Sequence, residues 1–230
     1  MDYEKLVGKT WGTNPTMISF FKSKDFKKIV QRLKEESLHS RENIFPKGEE
    51  IFLPFRLCPM DKVMVVFLGA NPYFNHRKWS DGILFSAPGL TEVIPKVLAT
   101  VFRAVADNYD TKLKHRSLDL SRWVKQGALF LPLDLTMVQG KKGAHISLWE
   151  PFLRAVISAL QSTCPGVIYV LLGQDALRIK DWLDPLSSDM VSLEHPSKAV
   201  ALNRNWKHKN IFTYVDRVTN MIFNRKINWL

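Results

Sequence analysis

Three short apolar runs constrain the fold of this chain more than any other feature of its sequence. They span residues 62–69, 128–131 and 166–173, and the first and last of them end on a glycine. Apolar residues at every position, rather than at every second one, are typical of strands buried on both faces of a parallel sheet. Residues 190–193 indicate a fourth, shorter strand.

Helical patterns separate these runs. Strands that alternate with helices predict an α/β fold, with a central parallel sheet of about four strands and helices on both faces. The chain has no internal repeat, low-complexity tract or linker, so we expect a single domain over residues 1–230, with a helical part at 1–60 packed on the sheet. The expected helices span residues 25–33, 94–107, 149–160, 175–182 and 212–223.

Composition narrows the class of partner. The chain has 33 Lys and Arg against 22 Asp and Glu, a net charge of +11. A positive field of this kind attracts polyanions, nucleic acid before anionic membrane. Two cysteines and the absence of metal-ligand spacing argue against a disulfide scaffold or a metal site. No apolar stretch has the length of a membrane span or a secretory leader. We expect a monomer in the cytoplasm of a bacterial or phage-infected cell, or in the nucleus if the source is viral or eukaryotic.

The strand ends predict where a ligand would bind. In parallel sheets, ligands bind beyond the carboxyl ends of the strands. Four loops should therefore line one crevice: residues 69–73, 131–134, 173–175 and 194–197. A basic stretch with an interleaved aromatic follows the last loop, which favours phosphate contacts over a merely solvated surface. It contains Lys198, Arg204, Trp206, Lys207, His208 and Lys209.

Polar residues at these strand ends are candidates for chemistry. Asn71 precedes a proline, so its amide either completes a turn or holds water or a substrate group. His195 is either a structural histidine or a group that supports a leaving group as negative charge develops. The candidate carboxylates are Asp134, Asp175 and Glu150, although Asp175 also suits the first turn of a helix and Glu150 a helix face.

Several short segments, in one order along the chain, resemble motifs of the uracil-DNA glycosylase superfamily. The resemblance extends from about residue 20 to the C-terminus. The segments are Gly69–Tyr73 (family Gly-Gln-Asp-Pro-Tyr), Gly82–Ser86 (Gly-Leu-x-Phe-Ser), Trp123–Leu131 with Leu135–Thr136 (Trp-x-x-Gln-Gly-Val-Leu-Leu-Leu-Asn…Leu-Thr), Ala144–Phe152 (Ser-His…Trp-Glu-x-Phe), Val170–Gly173, His195–Ser197 (His-Pro-Ser) and Ile227–Trp229 (Ile-Asp-Trp).

The resemblance implies an activity. Members of the family flip a nucleotide out of DNA and hydrolyse its N-glycosidic bond without metal or cofactor, through a cationic sugar and an anionic base. Here Asn71 would hold the water, and the base would lie between Phe85, on which it stacks, and His195, which supports its O2. The resemblance also implies phosphate contacts from Ser197, the Pro88–Gly89 and Pro95–Lys96 loop, and Gly173–Gln174. The DNA would be a duplex with a flipped base, or a single strand.

Four departures from the family motifs bear on the substrate. Asn71 replaces the water-activating Asp, as in the mismatch-specific thymine/uracil branch, and Pro132 replaces the Asn that reads uracil. Ala70 replaces a Gln beside the pocket. The wedge leucine aligns near Ala199, so Leu202 or Trp206 would have to fill the vacated stack. Tyr73, which in the family blocks substituents at the pyrimidine 5-position, is retained.

These departures favour a modified pyrimidine, including a bulky one of the kind found in phage DNA, over strict uracil recognition. Such an enzyme would act in defence or in base-excision repair. One alternative is an inactive glycosylase-like DNA-binding or replication adaptor. Another is a conventional uracil-DNA glycosylase, and a third is an enzyme that modifies bases in place.

Overall fold

A central parallel sheet organises the molecule. The structure, a computed structural model, describes residues 2–39, 44–46, 48–76, 79–88, 93–112 and 117–230. Its strands are β1 (Ile44–Phe45), β2 (Val65–Gly69), β3 (Ala128–Pro132), β4 (Met137–Val138), β5 (Val167–Leu172) and β6 (Ser188–Leu193). Four of them form one sheet in the order β3-β2-β5-β6, and every neighbouring pair is parallel. A separate two-stranded antiparallel ladder joins β1 and β4.

Helices flank the sheet, which confirms the predicted fold class. A short 3-10 turn, Met60–Lys62, precedes β2, and a second spans Arg178–Trp182. No helix in the described ranges is both long and apolar enough to cross a bilayer. The helices are α1 (Tyr3–Val7), α2 (Lys9–Gly12), α3 (Pro15–Lys22), α4 (Lys24–His39), α5 (Leu53–Leu57), α6 (Lys96–Asn108), α7 (Ser121–Val124), α8 (Ile146–Thr163), α9 (Gln174–Leu177), α10 (Pro196–Ala201) and α11 (Ile211–Phe223).

The sequence patterns predicted the strands well and some boundaries less well. Every residue of β2, β3 and β5 is buried, as continuous apolar runs require. The strand predicted from residue 62 is β2, and it begins only at Val65 because Lys62 lies in a 3-10 turn. The helix expected at 175–182 is α9 followed by a 3-10 turn. The β1–β4 ladder, two residues on each side, was not predicted.

Aromatic packing ties the C-terminus to the sheet. Phe67 on β2 stacks on Phe130 on β3 with ring centroids 4.5 Å apart. Trp229 packs edge-on against both rings. Its indole Nε1 donates to Asp216 at 3.0 Å, and its carbonyl accepts from Trp123 Nε1 at 3.2 Å. Trp229, near the end of the chain, therefore belongs to the hydrophobic core.

Removing this indole should destabilise the whole fold. We expect Trp229→Ala to lower the free energy of unfolding by about 3–5 kcal/mol, because it leaves a large cavity against the central strands. Urea denaturation followed by circular dichroism measures the change. Leu186→Ala is the control, since this leucine is 95% exposed and its truncation should cost less than about 0.5 kcal/mol. Equal effects of the two variants would contradict the packing described.

Candidate active site

A cavity of about 830 Å³ opens at the carboxyl ends of β2, β5 and β6. Its position agrees with the general rule for ligand sites in parallel sheets. Three of the four predicted loops contribute to its wall, whereas residues 131–134 do not line it. The predicted site residues in the wall are Ala70, Asn71, Gln174, His195, Ser197, Lys198 and Lys207.

His195 is held rigidly between β6 and α10. It is the N-cap of α10, and its Nδ1 accepts from the Ser197 backbone N–H at 3.2 Å and lies 2.7 Å from Ser197 Oγ. Because Nδ1 accepts a backbone N–H, the ring proton of the neutral imidazole is on Nε2. Nε2 is buried and forms no hydrogen bond of ordinary geometry among the described residues. Burial lowers the pKa of His195 to about 4, against a smaller opposing contact with the Ala70 backbone, so the ring is a neutral N–H donor at neutral pH.

Two glycines make room for this imidazole. A Cβ on Gly69, at the end of β2, would lie 3.1 Å from His195 Cδ2 and 3.2 Å from Nε2. A Cβ on Gly173, after β5, would lie 3.0 Å from His195 Cβ, and Gly173 has a φ of +84°, which disfavours other residues. The glycines that end two of the predicted strands therefore have a specific role in placing the histidine.

Asn71 is buried and performs the turn function that its sequence context predicted. Its Oδ1 accepts from the Tyr73 backbone N–H at 3.0 Å, and its Nδ2 donates to Ser80 Oγ at 3.4 Å. Its own backbone N–H donates to Asp134 Oδ1 at 2.9 Å. Since a carbonyl oxygen has two lone pairs, Oδ1 of Asn71 can accept a second hydrogen bond, from a water. Since Asn71 also lines the cavity, the turn role and the predicted water-holding role are compatible.

Phe85 and Tyr73 form a rigid unit beside His195. Phe85 has a φ of +70°, a conformation that bulky residues adopt only when the surroundings impose it. The Tyr73 hydroxyl donates to the Phe85 carbonyl at 2.7 Å, and the Tyr73 ring packs edge-on against Trp79. Both rings are buried and lie outside the cavity lining. Pro132, the last residue of β3, pairs with Gly69 and also lies outside it.

The rings of Phe85 and His195 correct one expectation. Their centroids are 5.5 Å apart, which is direct aromatic contact. The sequence predicts a base between these two rings, but in this conformation there is no space between them. A base would have to lie beside the pair.

The predicted phosphate contacts divide into two groups. Gln174, Ser197, Lys198 and Lys207 line the cavity, whereas Pro88 and Lys96 do not, and Gly89 lies outside the described residues. Arg204 also lies outside the lining. Both terminal nitrogens of its guanidinium donate to Glu194, at 2.7 and 2.6 Å. Its charge is thus paired with Glu194, and a phosphate contact from Arg204, as predicted, would compete with that ion pair.

Two further corrections concern residues near the cavity. Trp206 is buried and its Nε1 donates to the Glu194 carbonyl at 2.8 Å, so it cannot act as a wedge in DNA. Leu202, which follows α10 and is 57% exposed, is the alternative that the structure leaves available. Sequence reasoning missed Lys142, which lines the cavity. The signal was the pair of lysines between Gly140 and Gly143.

The fold and this site define an α/β protein with a lysine-lined cavity at the carboxyl edge of a parallel sheet. The family model for the uracil DNA glycosylase superfamily matches residues 55–217. The uracil-DNA glycosylase of Mycoplasmopsis pulmonis is 30% identical over 195 residues, 84% of this chain and 86% of the relative. That of Bacteroides thetaiotaomicron is 31% identical over 205 residues, 89% of this chain and 90% of the relative.

A solved structure agrees with the fold. The crystal structure of mimivirus uracil-DNA glycosylase matches with a TM-score of 0.80 at 24% identity, covering 94% of this chain and 86% of that one. The chain belongs to the uracil-DNA glycosylase superfamily. The predicted family membership is therefore confirmed.

The state of the imidazole is directly measurable. We expect the His195 ring to titrate with a pKa of about 4, because burial disfavours the imidazolium, and to carry its proton on Nε2 at neutral pH. Nitrogen-15 NMR of the histidine side chains reports both the midpoint and the tautomer. His195→Gln identifies the resonance by its loss. A midpoint near about 6.5, the value of an unperturbed histidine, would contradict the buried, neutral ring.

Proposed function

We propose that this chain removes a small pyrimidine, uracil in the first place, from DNA and leaves an abasic site. The chain belongs to a family of hydrolases that act on N-glycosyl bonds in DNA. One observation carries the proposal for this site: His195, whose neutral imidazole has its proton on a buried Nε2, and Asn71 both line the cavity. A donor aimed at a point where negative charge develops stabilises the transition state of base release.

The proposed chemistry needs two kinds of stabilisation. As the C1′–N bond breaks, both of its electrons leave with the base and the sugar becomes cationic. His195 donates a hydrogen bond to the oxygen of the departing base. Asn71 orients a water whose oxygen then bonds to C1′, and the water proton ends on the released base. An amide cannot accept this proton at neutral pH, so the step relies on a good leaving group.

The residue that the resemblance places at the pyrimidine 5-position favours a small substrate. Tyr73 is fixed at both ends, by its hydrogen bond to the Phe85 carbonyl and by its contact with Trp79. It is therefore not free to swing aside for a bulky group at the 5-position of a pyrimidine. The fixed position of Tyr73 makes uracil the first substrate to test.

A modified pyrimidine is the second candidate, in defence or in base-excision repair. Pro132 has no side-chain hydrogen-bonding group with which to select uracil, and Ala70 leaves space at the cavity wall. Both features favour a looser choice of base. An inactive DNA-binding adaptor is a further candidate. The ordered placement of His195, which an adaptor does not need, favours an enzyme.

Base release from a panel of DNAs separates these candidates. Purified protein is incubated with single-stranded and duplex oligonucleotides that contain uracil, a thymine mismatch, hydroxymethylcytosine or glucosylated hydroxymethylcytosine. We expect release of uracil, with the wild-type rate lowered about 10²–10³-fold by His195→Ala because the donor is lost. Asn71→Ala should also slow release, and Asn220→Ala, an exposed change on α11, should not.

Each other result selects another candidate. Release of only the bulky bases would replace uracil with a modified pyrimidine as substrate. DNA binding without release of any base, unchanged by Asn71→Ala and His195→Ala, would establish the adaptor.

DNA contact should depend on the lysines at the cavity. Lys142, Lys198, Lys207 and Lys209 all line it. We expect Lys207→Gln to weaken binding to any DNA sequence and to reduce the slope of log K against log[salt] by about one, because one phosphate contact is lost. Arg204→Gln should change the slope less, since Glu194 already neutralises that charge. Fluorescence anisotropy over a salt series measures both. A larger slope change for Arg204 than for Lys207 would contradict this assignment.

A further inference from the structure

Asp134 is a buried carboxyl that is one hydrogen bond away from Asn71 in the cavity wall. It follows β3 in the one predicted loop that does not line the cavity wall. Its Oδ1 accepts the Asn71 backbone N–H at 2.9 Å. Its Oδ2 is also buried and has no hydrogen-bond partner in the part of the chain that the structure describes. Leu133 and Leu135 on either side are buried apolar residues, so a carboxyl here does not serve simple packing.

The charges around Asp134 do not form an ion pair with it. Burial raises the pKa of Asp134 to about 7, with a smaller upward contribution from Asp175. The Asn71 N–H and Lys142 oppose this shift and lower the pKa. Asp175 and Lys142 both line the cavity, so Asp134 responds to charges at the site itself. Two other buried groups titrate at lower pH, His195 with a pKa of about 4 and Asp81 with a pKa of about 6.

This carboxyl lowers stability when it is charged. Because its pKa is higher in the folded than in the unfolded chain, the folded state keeps a proton that the unfolded state has lost between about pH 4 and pH 7. Its contribution to stability therefore falls as the pH rises through that window and stays low above it. A buried, uncompensated carboxylate at alkaline pH needs a functional reason.

We propose that Asp134 is a positioning residue for N-glycoside hydrolysis, which holds the Asn71 backbone and places a negative charge behind the point where the sugar becomes cationic. The proposal rests on the proposed function, in which Asn71 orients the attacking water. Asp134 does not accept a proton from the attacking water. In the low dielectric of the interior, a carboxylate one hydrogen bond behind Asn71 acts on the developing cation more strongly than one in water. Asn71, being neutral, cannot supply this charge.

The isosteric change Asp134→Asn separates charge from shape. The amide oxygen can still accept the Asn71 N–H, and only the negative charge is lost. We expect kcat for uracil release at about pH 8 to fall about tenfold or more while KM changes less than about twofold. The wild-type kcat should rise with pH around a midpoint near 7, since the carboxylate is the active form, and the variant should lose this rise.

Stability gives an independent readout. At about pH 8 the melting temperature of Asp134→Asn should equal or exceed that of the wild type, because a buried charge has been removed. A residue with only a structural role would instead lose stability and activity together.

Relocating the charge completes the test. The double variant Asn71→Asp with Asp134→Asn restores one carboxylate next to the same backbone hydrogen bond, and we expect it to regain at least part of the lost kcat. Asp81→Asn is the matched control, since it also removes a buried carboxyl of raised pKa. Both carboxylate oxygens of Asp81 are already hydrogen-bonded, to the Ile83 N–H and the Ser86 hydroxyl. This control should keep the pH midpoint of kcat near 7.

The outcomes are distinct. If the wild type releases no base from any DNA, both the proposed function and the role of Asp134 are overturned. If the wild type is active and Asp134→Asn keeps its kcat and its pH profile, only the role of Asp134 is overturned. A fall in kcat that comes with lower stability and is not rescued by the double variant also overturns it, in favour of a structural role.

Discussion

The approach of one imidazole to two strand-ending glycines determines the rest of the site. Gly69 and Gly173 stand at the ends of adjacent parallel strands, β2 and β5, and each leaves the space that His195 occupies. The register of the sheet thereby fixes the ring, while its role as N-cap of α10 fixes the proton on Nε2. A methyl group at either glycine would displace the donor, so the geometry of catalysis depends on backbone packing as much as on the histidine.

Burial has opposite effects on the two kinds of titratable group at this site. It lowers the pKa of His195 and raises the pKa of Asp134, because a dry environment disfavours the charged form of both. The histidine becomes a neutral donor over the whole neutral range. The carboxyl instead titrates within that range. One physical cause thus produces a donor that is insensitive to pH and an acid that is sensitive to it.

The parts of the structure that depend on local pattern were predictable from the sequence. Continuous apolar runs gave β2, β3 and β5 because strands buried on both faces carry no polar alternation. Strand ends gave Asn71 and His195 because ligands bind at the carboxyl edge of a parallel sheet. Tertiary pairing was not predictable in this way. Arg204 and Trp206 look like DNA contacts in a basic stretch, but Glu194 engages both of them.

Some residues near the site match the family motifs, and others differ from them. The Tyr73–Phe85 unit and His195 keep the family's residue types and are held by backbone hydrogen bonds. The altered positions, Ala70 and Pro132, are ones at which the resemblance to the family places base recognition, and neither has a polar side chain; Ala70 lines the cavity and Pro132 does not. Under the proposed function, stabilisation of the departing base depends on the first group, whereas selection among bases depends on positions whose side chains offer no hydrogen bonds. Loss of a hydrogen-bonding residue weakens discrimination between bases far more than it weakens chemistry common to all of them. Under the proposed function, the choice of pyrimidine therefore depends on shape rather than on hydrogen-bond readout.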